Sequence, residues 1–207
     1  MHKKKVIYAG QSLEDASKAL IMIHGRGASA EDILGLAGHL QLSDFTLLAP
    51  QATNHTWYPY SFLAPPKENE PWLSSALSLI NDITGELEAK GFSSEDIYLL
   101  GFSQGACLTL EFAARHAKKY GGVVAFTGGL IGDTVYTENY KGDFAGTPLF
   151  IGTSDPDLHV PVQRVEDSAA LLEKMNARVT KKIYKNMGHT INQDEIDLAN
   201  KLVFNKS

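Results

Sequence analysis

Gly101-Phe102-Ser103-Gln104-Gly105 is a Gly-x-Ser-x-Gly pentapeptide, and it decides the fold expected for this chain. The apolar run 97–100 precedes it, and a helical pattern from Ala106 to about Tyr120 follows it. A serine on a sharp turn between a strand and a helix is exposed above the carboxyl end of a sheet. Such a turn needs small residues two positions away on either side. The pattern therefore predicts a nucleophile at Ser103 in preference to an ordinary glycine-rich turn.

A serine hydroxyl needs a general base at neutral pH, and histidine suits because its pKa lies near the operating pH. On this kind of turn the partners follow in the order serine, acid, histidine. The histidines after Ser103 are His116, His159 and His189. His116 lies on the helical pattern beside several cations and is interpreted as solvent-facing. His189 lies in a loop between a late strand and the last helix, so we predict that it is the base.

The acid is expected in the loop that follows the apolar strand 148–151, where Asp155 and Asp157 compete. Either aspartate could instead stabilise a turn through its side chain. Asp155, Asp157 and His159 also have the alternating spacing of a metal-binding cluster. No second cluster of histidine or cysteine accompanies them, so we expect no metal ion.

The second requirement of acyl transfer is an oxyanion hole, in which backbone N–H groups already point at the developing negative charge. One donor is the amide of Gln104, directly after the nucleophile. The glycine-rich loop 24–29 follows the strand 19–23, and its residue Arg26 would supply the second N–H. The Arg26 guanidinium is interpreted as solvated or ion-paired. The loop lacks the Gly-Lys-Ser/Thr ending of a phosphate-binding loop.

Four motifs occur in one order along the chain: His24-Gly25-Arg26-Gly27, Gly101–Ala106, Asp157-Leu158-His159-Val160-Pro161 and Gly188-His189. Together they resemble the phospholipase/carboxylesterase family of α/β-hydrolases, which includes the acyl-protein thioesterases. The resemblance extends from about residue 18 to 204 and implies that Asp157 is the acid. The stretch after Gly152 is two residues longer than the usual pattern, which keeps Asp155 open. The resemblance also makes a homodimer plausible.

The length of 207 residues predicts a single domain over residues 1–207, and the resemblance implies that it is an α/β-hydrolase domain. The chain is 43% hydrophobic and 21% charged, which is ordinary for a globular protein. Nineteen basic and 24 acidic residues give a formal net charge of −5, with no basic stripe. This charge balance argues against a nucleic-acid partner.

The sequence contains no apolar stretch that approaches the length of a membrane span. The apolar piece 6–9 after the basic residues 3–5 is too short for a signal-peptide core. The single cysteine, Cys107, cannot form an intramolecular disulfide and is interpreted as a small buried residue. We therefore expect a cytoplasmic protein without stable membrane insertion.

Strand and helix patterns alternate along the chain. The predicted strands lie near 5–9, 19–23, 45–49, 96–100, 122–126, 148–152 and 179–184, and the predicted helices near 30–41, 72–90, 104–120, 161–176 and 191–204. Strands joined by helices imply a mostly parallel sheet that is covered by helices on both faces. The predicted fold class is α/β, an α/β-hydrolase without a separate cap domain.

Two segments lack a regular pattern and are rich in aromatic residues. Residues 50–71 contain Trp57, Tyr58 and Phe62, and residues 128–147 form the second segment. Long irregular segments in a compact domain often form pocket walls. We interpret them as the wall of a shallow, open substrate pocket, with core packing or a dimer interface as the alternatives.

These residues together predict a serine hydrolase. Ser103 attacks a carbonyl carbon, His189 moves the proton, and Asp157 holds the imidazole, while the amides of Arg26 and Gln104 bind the oxyanion. The expected substrate is a small-molecule carboxylic ester or thioester with a short or medium acyl chain, and no cofactor is required. The alternatives are lysophospholipids, lactones or peptides as substrates, or a binding protein that keeps the fold without catalysis.

Overall fold

The computed structural model describes residues 1–205, which form seven β-strands alternating with five α-helices. The strands are β1 Val6–Gly10, β2 Lys18–Ile23, β3 Phe45–Pro50, β4 Ile97–Phe102, β5 Gly122–Phe126, β6 Pro148–Asp155 and β7 Arg178–Lys185. The helices are α1 Ala30–Leu34, α2 Trp72–Ala89, α3 Gln104–Arg115, α4 Val162–Lys174 and α5 Gln193–Ala199.

The strands form one sheet in the order β1-β3-β2-β4-β5-β6-β7. Every neighbouring pair is parallel except β1 and β3, which are antiparallel. The predicted mostly parallel α/β sheet is therefore confirmed. In a parallel sheet the carboxyl ends of the strands meet at one edge, so the loops after β4, β6 and β7 lie side by side.

Alternate residues of the central strands enter different hydrophobic cores, because successive side chains of a strand point to opposite faces. In β2, Ile21 and Ile23 pack in the core covered by α2, α3 and α4. Leu20 and Met22 pack on the opposite face against α1 and α5. Both faces of the sheet are thus covered, which explains why these strands are continuously apolar in sequence.

Two predicted helices end earlier than their patterns indicate, and a third divides into two segments. The pattern 30–41 becomes α1 followed by a 3₁₀ turn, Gly35–His39, where glycine is a poor helix former. The α3 helix ends at Arg115 because His116 has left the helical conformation. The last pattern, 191–204, divides into α5 and a π-helical turn.

Two strands extend further than predicted toward the edge of the sheet at which the carboxyl ends of the strands meet. The pairing of β6 with β7 continues to Asp155 and Lys185, so β6 reaches three residues beyond its predicted end. The loop that carries the candidate acid therefore begins only after Asp155.

The irregular segment 128–147 packs into the molecule, so its interpretation as a pocket wall is wrong. Leu130 and Phe144 are fully buried in the core of the α2–α4 face. The buried guanidinium of Arg164 donates to the backbone oxygens of Leu130, Gly132 and Asp133, and the Glu111 carboxylate accepts from the Ile131 amide. Two buried ionisable groups therefore satisfy the backbone of this segment.

None of the helices within residues 1–205 has both the length and the apolarity needed to cross a bilayer.

Candidate active site

The turn at Ser103 adopts the strained conformation that the pentapeptide predicts. Ser103 has φ 55° and ψ −120°, between the end of β4 and the first residue of α3. A Cβ on Gly101 would lie 2.3 Å from the carbonyl oxygen of Gly105. A Cβ on Gly105 would lie 2.1 Å from the carbonyl oxygen of Ile23. Glycine is required at both positions for close approach of backbone to backbone, and the turn packs directly on the end of β2.

The structure brings Ser103, His189 and Asp157 into one chain of hydrogen bonds. Nε2 of His189 lies 2.7 Å from Oγ of Ser103, and Nδ1 lies 2.8 Å from Oδ2 of Asp157. An ionised carboxylate only accepts, so Nδ1 carries the proton and donates to Asp157. Nε2 is then the free acceptor, and the Ser103 hydroxyl donates to it. This is the arrangement in which imidazole acts as a base toward a serine.

Asp157 is held in its ionised form by several donors. Its side chain is fully buried, and Oδ1 accepts from the amides of His159 and Val160 at 2.8 and 2.9 Å. Burial alone raises the pKa of Asp157, but the hydrogen bonds from His159, His189 and Val160 outweigh it, so the pKa lies below its usual value. The carboxylate is therefore both charged and fixed in direction.

Asp155, the competing acid, lies elsewhere. It is exposed at the end of β6, and its backbone oxygen accepts from the Asn186 amide. Within the described part of the chain, Asp157 is the aspartate that contacts His189.

Sequence reasoning missed Ser154, which connects the two loops that carry the acid and the base. This buried residue of β6 donates from Oγ to the backbone oxygen of Pro156 and accepts from the Gly188 amide, at 3.1 and 3.0 Å. A serine at the end of an apolar strand is the one sequence signal that could have indicated it. Ser154 thereby ties the Asp157 loop to the His189 loop.

The loop between β2 and α1 lies over the start of α3. The Gly27 amide donates to the His55 oxygen and the Ala28 amide donates to the Gly25 oxygen, which curls the loop around Arg26. Among residues 1–205 the Arg26 amide donates no backbone hydrogen bond outside helices and strands. The Gln104 amide opens α3, where the first N–H groups have no partner inside the helix.

The Arg26 guanidinium fixes the neighbouring aromatic segment, and among residues 1–205 it has no ion-pair partner of the kind considered from the sequence. It donates to Oγ1 of Thr56 and to the backbone oxygens of Pro59 and Tyr60, at 3.0, 2.9 and 2.7 Å. Three of its five N–H donors are thus occupied by one loop, which holds that loop beside the Arg26 amide.

The Gln104 side chain forms hydrogen bonds to the same aromatic segment, at Trp57 and Tyr58. Its Oε1 accepts from the Trp57 amide and its Nε2 donates to the Tyr58 oxygen, both at 2.9 Å. The Trp57 indole donates to the backbone oxygen of His24 at 2.8 Å. His24 in turn donates from Nδ1 to the Gly25 oxygen and accepts the Ala52 amide at Nε2. His24 is therefore a structural residue.

A cleft of ≈530 Å³ opens above Ser103. Tyr58 and Phe62 line it, as expected, but Trp57 does not, so its prediction as a substrate-contacting residue is wrong. Trp57 is fully buried, because its amide and indole both face inward to Gln104 and His24.

The opposite wall of the cleft comes from residues that sequence reasoning did not assign to substrate. They follow the candidate acid directly: Leu158, His159 and Val160. Leu158 is 93% exposed at the mouth of the cleft, and the His159 ring lies 5.0 Å from the His189 ring. Cys107 lies at the floor, where burial raises the pKa of its thiol to about 12, so it is not the nucleophile.

Residues 155–159 do not form the metal cluster considered from their spacing. No group of three or more histidine, cysteine, aspartate or glutamate side chains within the described chain is arranged to hold a metal ion. The carboxylate of Asp157 is instead fully engaged by His189 and two amides.

The chain belongs to the phospholipase/carboxylesterase family of α/β-hydrolases, because the sequence model of that family matches residues 3–204. The protein is therefore a hydrolase of the esterase or thioesterase type.

Solved and curated relatives agree with this assignment. A phospholipase/carboxylesterase from Dyadobacter fermentans is 52% identical, with a TM-score of 0.97 over 98% of this chain and 97% of that one. Acyl-protein thioesterase 1 of Saccharomyces cerevisiae is 28% identical over 90% of this chain and 92% of its own length. A probable carboxylesterase of Arabidopsis thaliana, SOBER1-like, is 28% identical over 62% of this chain. That alignment spans about half (49%) of the Arabidopsis protein.

Proposed function

We propose that the protein hydrolyses carboxylic esters or thioesters through an acyl-enzyme at Ser103. The observation that carries the proposal is the continuous hydrogen-bond chain from Ser103 through His189 to Asp157, which opens into a cleft. A binding protein that had lost catalysis would have no need to keep these side chains at 2.7 and 2.8 Å in the required tautomer.

The proposed reaction has two steps on one set of residues. Ser103 attacks the carbonyl carbon as His189 accepts its proton, and the amides of Arg26 and Gln104 stabilise the oxyanion. His189 then donates the proton to the leaving oxygen or sulfur. Water, activated by His189, attacks the acyl-serine and frees the acid. Asp157 stabilises the imidazolium in both steps.

Labelling with a fluorophosphonate tests the proposal directly. These reagents phosphonylate serines that an adjacent base has activated, so we expect one label per chain, on the peptide that contains Ser103. Mass spectrometry of the digested protein locates it. A protein that remains unlabelled, or is labelled at another serine, would contradict the proposal.

The substrate range is proposed to be acyl chains of short to medium length. The cleft is open, its walls are two loops, 58–63 and 158–160, and residues 1–205 contain no cap domain above them. Tyr58, Phe62 and Val160 contribute apolar atoms to the lining of the cleft, where an acyl chain would lie.

We expect kcat/KM for p-nitrophenyl esters to rise with acyl length and then to decline. Each buried methylene contributes about 0.8 kcal/mol, or about fourfold, until the cleft is full. Longer chains gain nothing further because the additional methylenes remain in water. A series from acetate to palmitate measures the optimum, and best activity on the longest, emulsified substrates would refute the proposed range.

Replacing His189 by alanine is expected to lower kcat by roughly 10⁴-fold or more, because no other base reaches Oγ of Ser103. His159→Ala is the matched control, since its ring also lines the cleft, 5.0 Å from that of His189. We expect His159→Ala to retain at least about a tenth of the activity. Steady-state kcat of the two variants on one activated ester decides between them. An inactive His159 variant beside an active His189 variant would reverse the assignment.

A further inference from the structure

A second groove opens beside the reacting side chains and shares no lining residue with the first cleft. Its volume is ≈370 Å³. Apolar side chains dominate its surface: Ile33, Leu36, Phe102 and Ile191. Leu36, Phe102 and Ile191 are only partly buried, so the groove presents apolar surface to solvent close to the site. No element within residues 1–205 covers this surface.

The second groove begins at the residues next to Ser103 and His189. Gly25 lines it, and a Cβ on Gly25 would lie 3.4 Å from Cβ of Ser103. The Phe102 ring also lines it and lies 5.4 Å from the His189 ring. Thr190, directly after His189, forms part of its wall. A molecule attached to Ser103 could therefore extend into the groove without leaving the surface.

An ester needs two binding directions, because its acyl part and its alcohol part diverge from the carbonyl carbon. In the proposed reaction His189 gives its proton to the leaving oxygen or sulfur, so the alcohol or thiol part lies on the His189 side. The His189 ring itself lines the first cleft, and Thr190 and Ile191, which directly follow it in the chain, line the second groove. The first cleft, with the loop 58–63 along its wall, remains for the acyl part.

We propose that the second groove binds the alcohol or thiol part of the substrate, and that this part is apolar and carries no negative charge. This inference rests on the proposed function and extends it to the leaving group.

The charges around the groove support the second half of the inference. The Asp32 carboxylate lines the groove and accepts from the hydroxyl and the amide of Ser29, and these hydrogen bonds lower the pKa of Asp32. His24 also lines it, but burial lowers the pKa of His24, which keeps the imidazole neutral. No lysine or arginine lines the groove. An anionic leaving group would meet one negative charge and no positive charge there.

Two isomeric esters distinguish binding in the second groove from binding in the first cleft. Hexyl acetate carries its six-carbon chain on the alcohol part, and ethyl hexanoate carries it on the acyl part. We measure kcat/KM for both by pH-stat titration and take the ratio of hexyl acetate to ethyl hexanoate. Leu36→Ala and Leu36→Trp, which remove surface from the groove or fill it, should each lower the ratio about fivefold. Leu63→Ala is the matched control in the first cleft and should raise the ratio by a similar factor.

Both esters are measured on the same sample, so the ratio does not depend on the fraction of folded enzyme. An unchanged ratio in both Leu36 variants, or a shift in the direction of Leu63→Ala, would overturn the inference while leaving the proposed function intact. A wild-type protein that hydrolyses neither ester would refute both.

A third ester tests whether the second groove rejects a negatively charged alcohol part. The acetate ester of 6-hydroxyhexanoate places a carboxylate at the end of the alcohol chain. We expect it to react at least about tenfold more slowly than hexyl acetate, and Asp32→Asn should reduce that difference. Equal rates for the two acetates in the wild type would show that the groove does not discriminate by charge.

Discussion

Replacing Ser103 by alanine is expected to lower kcat for an activated ester by roughly 10⁴- to 10⁶-fold, because the variant has no nucleophile to form an acyl-enzyme. What remains is the slow attack of water assisted by the oxyanion donors and by binding. The fold should not change, since alanine and serine are equally strained at the φ of 55° that this turn imposes. The hydroxyl is hydrogen-bonded to His189, so the substitution removes one hydrogen bond that the function needs and the fold does not.

The measurement is kcat on p-nitrophenyl butyrate together with Tm, which we expect to change by less than about 2 °C. Ser61→Ala is the matched control, because Ser61 also lines the cleft and its Oγ only accepts from the Leu63 amide. That variant should keep most of the activity. An alanine variant of Ser103 that turned over at a near wild-type rate would eliminate the acyl-enzyme mechanism.

The fold could be predicted from the sequence because its strongest signals are local. Continuous apolar strands, helical periodicity and the glycines around Ser103 are each visible in a few consecutive residues. The ends of the elements were less predictable. The carboxyl end of β6 is fixed by its pairing with β7, which depends on residues about 30 positions away.

The candidate site likewise contains residues that could be predicted from local sequence and residues whose role depends on distant contacts. Ser103 and His189 follow from chemistry and chain order, whereas Asp157 was preferred to Asp155 only through the family resemblance; the structure places the three side chains in contact. Trp57 was assigned to the cleft because an aromatic residue in an irregular segment looks the same whether it faces substrate or core. Its burial is decided by the Gln104 carboxamide, a contact 47 residues away in sequence. Ser154 was missed for the corresponding reason, since its partners, Pro156 and Gly188, lie on two different loops.

The two aspartates that the sequence left open are separated by one pair of substitutions. Asp157→Asn is expected to lower kcat by about 10⁴-fold. The asparagine oxygen would continue to accept from the amides of His159 and Val160, which now bind Oδ1 of Asp157. Its NH₂ group would then face Nδ1 of His189, where the carboxylate now accepts at 2.8 Å.

Two donors cannot share that position, so the His189 ring must move its proton to Nε2 so that Nδ1 can accept. Nε2 is the atom that must receive the proton of Ser103, and in this tautomer it cannot. The Asn variant would therefore keep the geometry of its active site and its open cleft, but His189 could no longer act as the base.

Asp155→Asn makes the same chemical change on an exposed side chain at the end of β6, and we expect kcat to fall by no more than about threefold. The kcat values of both variants at one pH provide the comparison. A severe loss confined to Asp155→Asn would mean that the acid engages only after the loop 155–161 rearranges, and that the hydrogen bond from His189 to Asp157 is not the one that catalysis uses.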